Sequence, residues 1–205
     1  MLSPFPDLYH LQKSDIKPAS HMMAEAFHGD SIWVFSIPDP DERKKKLPVM
    51  YELLLKYGLK YGIVVSSSSN LEGISIWLPD SETGLKIAHV LRSGGIFLMF
   101  KIGQAIGKRI ELVMEEYDSI RQKHVKEPHW YLQFIAVDPN HQNKGFASSI
   151  IRIVLQEFSN KGISVYLDTE TERNVRIYQH LGFKVVHEGL FKAGNFNHWG
   201  MMYKR

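Results

Sequence analysis

The chain has 205 residues, of which 44% are hydrophobic and 23% charged, and its formal net charge is +3. That is enough material for one globular domain with a real core, and the charge is too small to argue for nucleic acid or a membrane surface as a partner. Cysteine is absent, which excludes disulfides, thiolate metal sites and a cysteine nucleophile and permits a reducing compartment.

No segment reads as a targeting signal. Met1 to His10 contains Pro4, Pro6 and Asp7 and lacks a basic start followed by an apolar run. The most apolar stretch, 96–100, stops at Lys101, far short of the roughly 20 apolar residues of a membrane helix. The expectation is a cytoplasmic protein. The ten histidines show no metal-ligand spacing, and neither His-Glu-x-x-His nor a Gly-x-Ser-x-Gly elbow occurs. No metal is expected.

In chain order, residues 14–28 and 42–62 read as helices. Leu47, Met50, Leu54, Tyr57 and Tyr61 recur at helical spacing in the second. Residues 63–65 and 73–78 read as strands joined by a hairpin through Ser66-Ser67-Ser68-Ser69-Asn70, with Pro79 ending the second. Residues 82–126 are expected to be an insertion of two helices separated by Ser93-Gly94-Gly95. The first carries Leu85, Ala88 and Leu91, and the second Phe97, Ile102, Ile106, Ile110 and Met114. Residues 130–137 are apolar on both faces, as in a central buried strand, and Asp138-Pro139 breaks them. A helix over 145–159 follows, closed by Lys161-Gly162. Next come a half-buried strand over 163–168, a short helix over 173–181 ended by Gly182, and two last strands near 184–191 and 196–204. The C-terminal half is therefore β-α-β-α-β-β.

The first chemical signal lies between the central strand and the next helix: Gln142-Asn143-Lys144-Gly145-Phe146-Ala147-Ser148. A helix N-terminus presents unpaired N–H groups and partial positive charge, so it attracts phosphate. Small residues, here Gly145 and Ala147, let a ligand approach the backbone, and Lys144 adds charge. An ordinary strand-turn-helix with a glycine has the same spacing. The nucleoside-triphosphate loop is excluded for want of Gly-Lys-Ser/Thr, and the three-glycine dinucleotide fingerprint is missing. The second signal is Asn174-Val175-Arg176-Ile177-Tyr178-Gln179-His180-Leu181-Gly182-Phe183. Its Asn and Tyr, four apart, share one helix face.

The strand end Ile135-Ala136-Val137-Asp138-Pro139, followed by Gln-x-x-Gly-x-Ala at 142–147, resembles motif A of the GNAT acetyltransferases. Asn143 stands where members often carry glycine, and Asn tolerates left-handed backbone. The Asn-x-x-x-Tyr-x-x-x-Gly-Phe run is similar to the family's second motif. The likeness is specific over 130–205, loose over 7–80 and absent over 82–126, and the whole chain looks similar to the puromycin-acetyltransferase-like branch.

The resemblance implies an α/β fold, a central mixed β-sheet flanked by helices, with the helical insertion near 82–126. It implies a single N-acetyltransferase domain over 1–205 whose cofactor-binding half is about 129–205. It implies acetyl-CoA as co-substrate, with the phosphates at Gln142, Asn143, Lys144, Gly145, Phe146, Ala147 and Ser148. The acetyl and pantetheine groups would lie along the backbone N–H groups of Ile135, Ala136 and Val137, and Asn174 would contact the pantetheine arm. Tyr178 would be the catalytic acid, its hydroxyl aimed at the thioester sulfur. The acceptor would be a small-molecule or peptide amine that attacks the thioester directly. The base is left open among Glu170, Glu172, His129 and a water chain. Glu170 and Glu172 are expected as solvated loop carboxylates and His129 as structural. Residues 82–126 are expected to border the acceptor site. An acyl-CoA-binding sensor or silent module is the alternative, and an interaction protein using the apolar insertion is a third reading. Oligomeric state is open, a homodimer included.

Overall fold

A computed structural model describes residues 5–84 and 86–204; Leu85, expected on a helix face, lies outside them. The backbone of the molecule is a seven-stranded sheet in the order β1-β2-β3-β4-β5-β7-β6. Its strands are β1 (Tyr9–His10), β2 (Ile63–Ser66), β3 (Gly73–Pro79), β4 (His129–Val137), β5 (Ser164–Thr169), β6 (Lys184–Phe191) and β7 (Phe196–Tyr203). Every neighbouring pair is antiparallel except β4 and β5, which are parallel. A parallel pair requires a crossover, and helix α7 (Phe146–Asn160) supplies it. The sheet is mixed and the class α/β, as expected.

Both faces of the sheet are covered, and the period of two in β3 shows why. Ile74, Ile76 and Leu78 enter one core with helices α1 (Ile16–Ala26) and α3 (Pro40–Tyr61), while Trp77 enters the other with α7. Val64 and Val65 of β2 divide the same way. Such a strand has no solvent face, so its sequence reads as a continuous apolar run. Helix α3 follows from an N-cap at Asp39, whose carboxylate accepts from the Glu42 N–H, and from Pro40 in the first turn. Pro48 within it forgoes one helical hydrogen bond.

The sequence expectations hold for the main strands and helices and fail in three places. Strand β1 is only two residues long, too short for any periodicity. Helix α2 (Ser31–Ser36) was not expected; Asp30 caps it by accepting from the Ile32 N–H at 3.0 Å. The segment 82–126 holds three α-helices rather than two: α4 (Ile87–Arg92), α5 (Ile96–Ile102) and α6 (Gln104–His124). Gly103, at φ 94°, breaks the expected second helix in a conformation that L side chains rarely adopt. The insertion docks on α3, where Lys60 and Lys46 donate to the backbone carbonyls of Arg92 and Lys101 at the ends of α4 and α5. The last helix, α8 (Glu172–His180), leads into β6 through Gly182 at φ 95°.

The junction of α3 and β2 leaves no room for a side chain. A Cβ at Gly62 would overlap the Trp77 carbonyl oxygen and lie 2.6 Å from Leu78 Cδ2. Neither backbone can move without disturbing the β2–β3 ladder, where Ile63 pairs with Trp77. Gly62→Ala is expected to lower stability by about 1–3 kcal/mol, as read by urea unfolding. An unchanged midpoint would show that the junction relaxes freely.

Candidate active site

The site begins with a pairing that stops. Strands β4 and β5 match only over His129 to Ser164, Trp130 to Val165 and Tyr131 to Tyr166. Beyond Tyr131 they diverge, β5 continuing against β7 and β4 against β3. The divergence coincides with an irregularity in the other ladder. Ile76 pairs with Phe134 and Trp77 with Leu132, so Gln133 is the extra residue of a bulge, which bends its strand and re-aims the residues after it. The Asp138 N–H bonds to the Glu72 carbonyl at 2.9 Å, on the β3 side. Since alternate residues of an antiparallel strand face opposite neighbours, Ala136 also faces β3. Ile135 and Val137 turn their N–H groups to the open edge.

The phosphate-type loop leads from β4 into α7. Asn143 (φ 62°) and Gly145 (φ 85°) both adopt the left-handed conformation, which turns the chain sharply into α7. Gly145 is the N-cap of α7 and offers no side-chain hydrogen bond to the helix, so the N–H groups of its first turn stay free. A Cβ at Gly145 would meet nothing within 4 Å; the glycine is required by its backbone angle, and the space above it is open. Beside the loop runs a cationic groove lined by Arg152, Arg173, Arg176 and His180. Arg173 reaches back to the Asn143 side-chain oxygen at 2.6 Å.

The cleft deepens into a cavity of about 100 Å³ between the diverging strands, α2, α6 and α8. Gln133, Phe134 and Ile135 of β4 line it, with Asn174 and Tyr178 of α8. Asn174 is positioned by the Thr171 cap, whose hydroxyl accepts from its N–H at 3.3 Å. Tyr178 is 8% exposed, packs edge-on against Phe183 at 5.8 Å, and its hydroxyl has no hydrogen-bond partner among the described residues. Burial, and then the nearby negative charge of Glu170, raise its pKa well above the ordinary phenol value. The hydroxyl therefore keeps its proton at neutral pH and is a donor, not a base.

The opposite wall is acidic. Asp168 accepts three hydrogen bonds, from Tyr131 at 2.9 Å, Tyr166 at 2.8 Å and His198 at 2.7 Å. Glu170 accepts from the Tyr117 hydroxyl at 2.7 Å, and the Tyr117 ring stacks on His198 at 3.9 Å. Asp118 pairs with Arg121 at 2.7 Å. Desolvation, reinforced by the charge of Asp30, raises the Glu170 pKa well above the usual carboxylate range, and desolvation raises Asp30 likewise.

Against this geometry the comparisons are specific. Residues 77–183, just over half of the chain, match the model of the family described as Acetyltransferase (GNAT) family. The chain belongs to that family. An uncharacterized N-acetyltransferase of Schizosaccharomyces pombe is 25% identical over 179 residues, 84% of this chain and 72% of that one. Two solved structures share the fold. One is described as histone acetyltransferase HPA2 and related acetyltransferase from Corynebacterium glutamicum, with 18% identity, a TM-score of 0.65, and coverage of 96% of this chain and 94% of that chain. The other is a Drosophila melanogaster polyamine N-acetyltransferase, with 12% identity, a TM-score of 0.64, and coverage of 97% and 99%. This GNAT protein is an acetyltransferase, and transfer of an acetyl group to an amine is its general reaction. No described helix is long and apolar enough to cross a membrane.

Of the sequence-selected residues, Ile135, Asn174 and Tyr178 line the cavity and Ser148 lines the separate basic groove; Ala136, Val137 and residues 142–147 line neither. Of the proposed bases, Glu172 is exposed on α8, and His129 is buried at the start of β4 with its Nδ1 2.9 Å from the Glu127 carbonyl oxygen. Glu170 corrects the expectation of a solvated loop carboxylate: it is half-buried and lines the cavity. Sequence reasoning missed Asp30, Tyr117 and Asp168. Asp30 precedes Ser31 and an apolar run, which is an N-cap signal. Tyr117 lies midway between Val113 and Arg121 on one buried stripe of α6.

The raised Glu170 pKa has a stability consequence. Folding holds the proton on Glu170 above its unfolded value, so the native state binds more protons than the unfolded one. Stability is then full below the ordinary carboxylate pKa and falls as pH rises through the raised one. Glu170→Gln, which keeps an acceptor for Tyr117, is expected to melt higher than the parent at pH 8. The two should melt together near pH 4. Equal melting at both pH values would show that Glu170 ionises in the folded protein as it does in water.

Proposed function

We propose that the chain is an acetyl-CoA-dependent N-acetyltransferase, working as one acetyltransferase domain, that acylates a primary amine by direct attack. The observation that carries the reading is the unpartnered Tyr178 hydroxyl, buried, protonated and directed into the cleft between the free β4 edge and α8. Tyr178 lines the cavity, where a ligand can take the hydrogen bond of its hydroxyl.

The residues present suit coenzyme A. The uncapped start of α7, with Gly145 and Asn143 in left-handed geometry, is a ready anion site. Gln142, Lys144, Phe146, Ala147 and Ser148 surround it, and Arg152, Arg173 and Arg176 add charge for the phosphates. The Ile135 and Val137 N–H groups on the open edge are free to bond an amide-bearing arm, and one of them to steady negative charge on an acyl oxygen. Asn174 offers its side-chain amide from the opposite wall. Bound acetyl-CoA supplies an acyl group activated on sulfur. For its part the chain orients the amine and holds a proton at the Tyr178 hydroxyl for the departing sulfur, while the amine's own proton leaves to water in the open cleft.

Release of free thiol from acetyl-CoA with a panel of amines tests the reading. Tyr178→Phe keeps the ring and its packing against Phe183 while removing the proton donor. Turnover is expected to fall by about 10²- to 10⁴-fold, toward the lower end because the thiolate is a fair leaving group. Acetyl-CoA affinity by calorimetry should change little. Undiminished turnover would make Tyr178 a packing residue, and binding without any amine-dependent thiol release would favour an acyl-CoA sensor.

A further inference from the structure

We propose that the acceptor amine carries a second positive charge, as in a diamine, and that Asp30 and Glu170 hold that distal cation. The inference deepens the acetyltransferase reading and rests on it for which end of the amine reacts.

Four carboxylates line the cavity, Asp30, Asp118, Asp168 and Glu170, against one cation, Arg121. Two of the four are accounted for. Arg121 is spent on Asp118 and on the Thr83 hydroxyl at 2.6 Å, and it lies over the Tyr131 ring. Asp168 is fully occupied by two tyrosines and His198. Among the described residues Asp30 and Glu170 receive only neutral donors: the Ile32 and Trp33 N–H groups for Asp30, and the Tyr117 hydroxyl and its own backbone N–H for Glu170. Two carboxylates sharing a partly desolvated space without a cation repel one another, and the charge of Asp30 is felt in the protonation of Glu170. An ammonium between them removes the repulsion.

The Tyr178 side chain is 8% exposed, its hydroxyl has no protein partner among the described residues, and it marks the reacting end. Glu170 follows β5 and Asp30 caps α2, so the two carboxylates enter the cavity from different elements. Phe27, Phe134 and Tyr117 wall the passage, which suits a methylene chain and favours a cation by its aromatic faces. An acceptor with a carboxylate in place of the second amine sets a like charge against Asp30 and Glu170 and is disfavoured.

Calorimetric titration of the intact protein separates the claims. The probes are coenzyme A alone and then, on the coenzyme A complex, diaminobutane, butylamine and aminobutyrate, with diaminopropane and diaminohexane to bracket chain length. At least one diamine is expected to bind about tenfold or more tighter than butylamine, and aminobutyrate not at all. Asp30→Asn keeps the helix cap, since Asn caps as well as Asp. It should weaken diamine binding about tenfold while leaving butylamine and coenzyme A affinities unchanged. Butylamine binding as tightly as every diamine, equal loss of both amines in Asp30→Asn, or no amine binding at all would overturn the proposal while coenzyme A binding still upholds the acetyltransferase reading. Failure of coenzyme A to bind, with diamine selectivity intact, would sink that reading and leave the cation site standing.

Discussion

Strands β4 and β5 share three residue pairs and then part, and the rest of the site follows from that parting. A parallel pair that continued would consume the N–H groups of Ile135 and Val137 in sheet hydrogen bonds and fill the space in front of Tyr178. The bulge at Gln133 makes the separation durable, because it bends β4 away while the β3 ladder holds it on the other side. Strand β5 stays in the sheet after parting from β4 because its other edge is paired with β7 from Val165 to Thr169. A sheet that opens at its centre is stable here because both faces are packed: α1 and α3 cover one, and α7 and α8 the other.

The opened cleft is electrically polarised. At the α7 end stand Lys144, Arg152, Arg173 and Arg176 with an uncapped helix start. At the far end the carboxylates of Asp30, Asp168 and Glu170 gather under α6. The groove beside α7 is basic, and the cavity under α6, which Tyr178 also lines, is acidic. The insertion completes this arrangement. Residues 82–126 contribute Thr83, Met114, Tyr117, Asp118 and Arg121 to the cavity wall, so the segment outside the motifs shapes the acidic cavity.

What was legible in the sequence was what local chemistry determines. Asn143 and Gly145 declare a left-handed turn before a helix, Gly182 declares a helix end, and Asn174 and Tyr178 share a face by their spacing of four. The same reasoning could not see β1, whose two residues carry no period, nor the break at Gly103 inside an apolar run. It also misjudged Glu170, because a carboxylate after a strand looks solvated until α6 is known to lie over it. Tyr117 meets Glu170 across 53 positions of sequence, and Asp30 lies further still. Long-range pairs of this kind set the charge of the acceptor end and leave no mark in spacing.

The central claim is that the free edge of β4 and the start of α7 form one binding surface for acetyl-CoA. Amide hydrogen exchange resolved at single residues tests it most directly. Saturating acetyl-CoA is expected to slow exchange at Ile135, at Val137 and in residues 146–148, while Ala136, already bonded toward β3, changes little. Unaltered exchange at Ile135 and Val137, with slowing confined to another part of the molecule, would contradict the account.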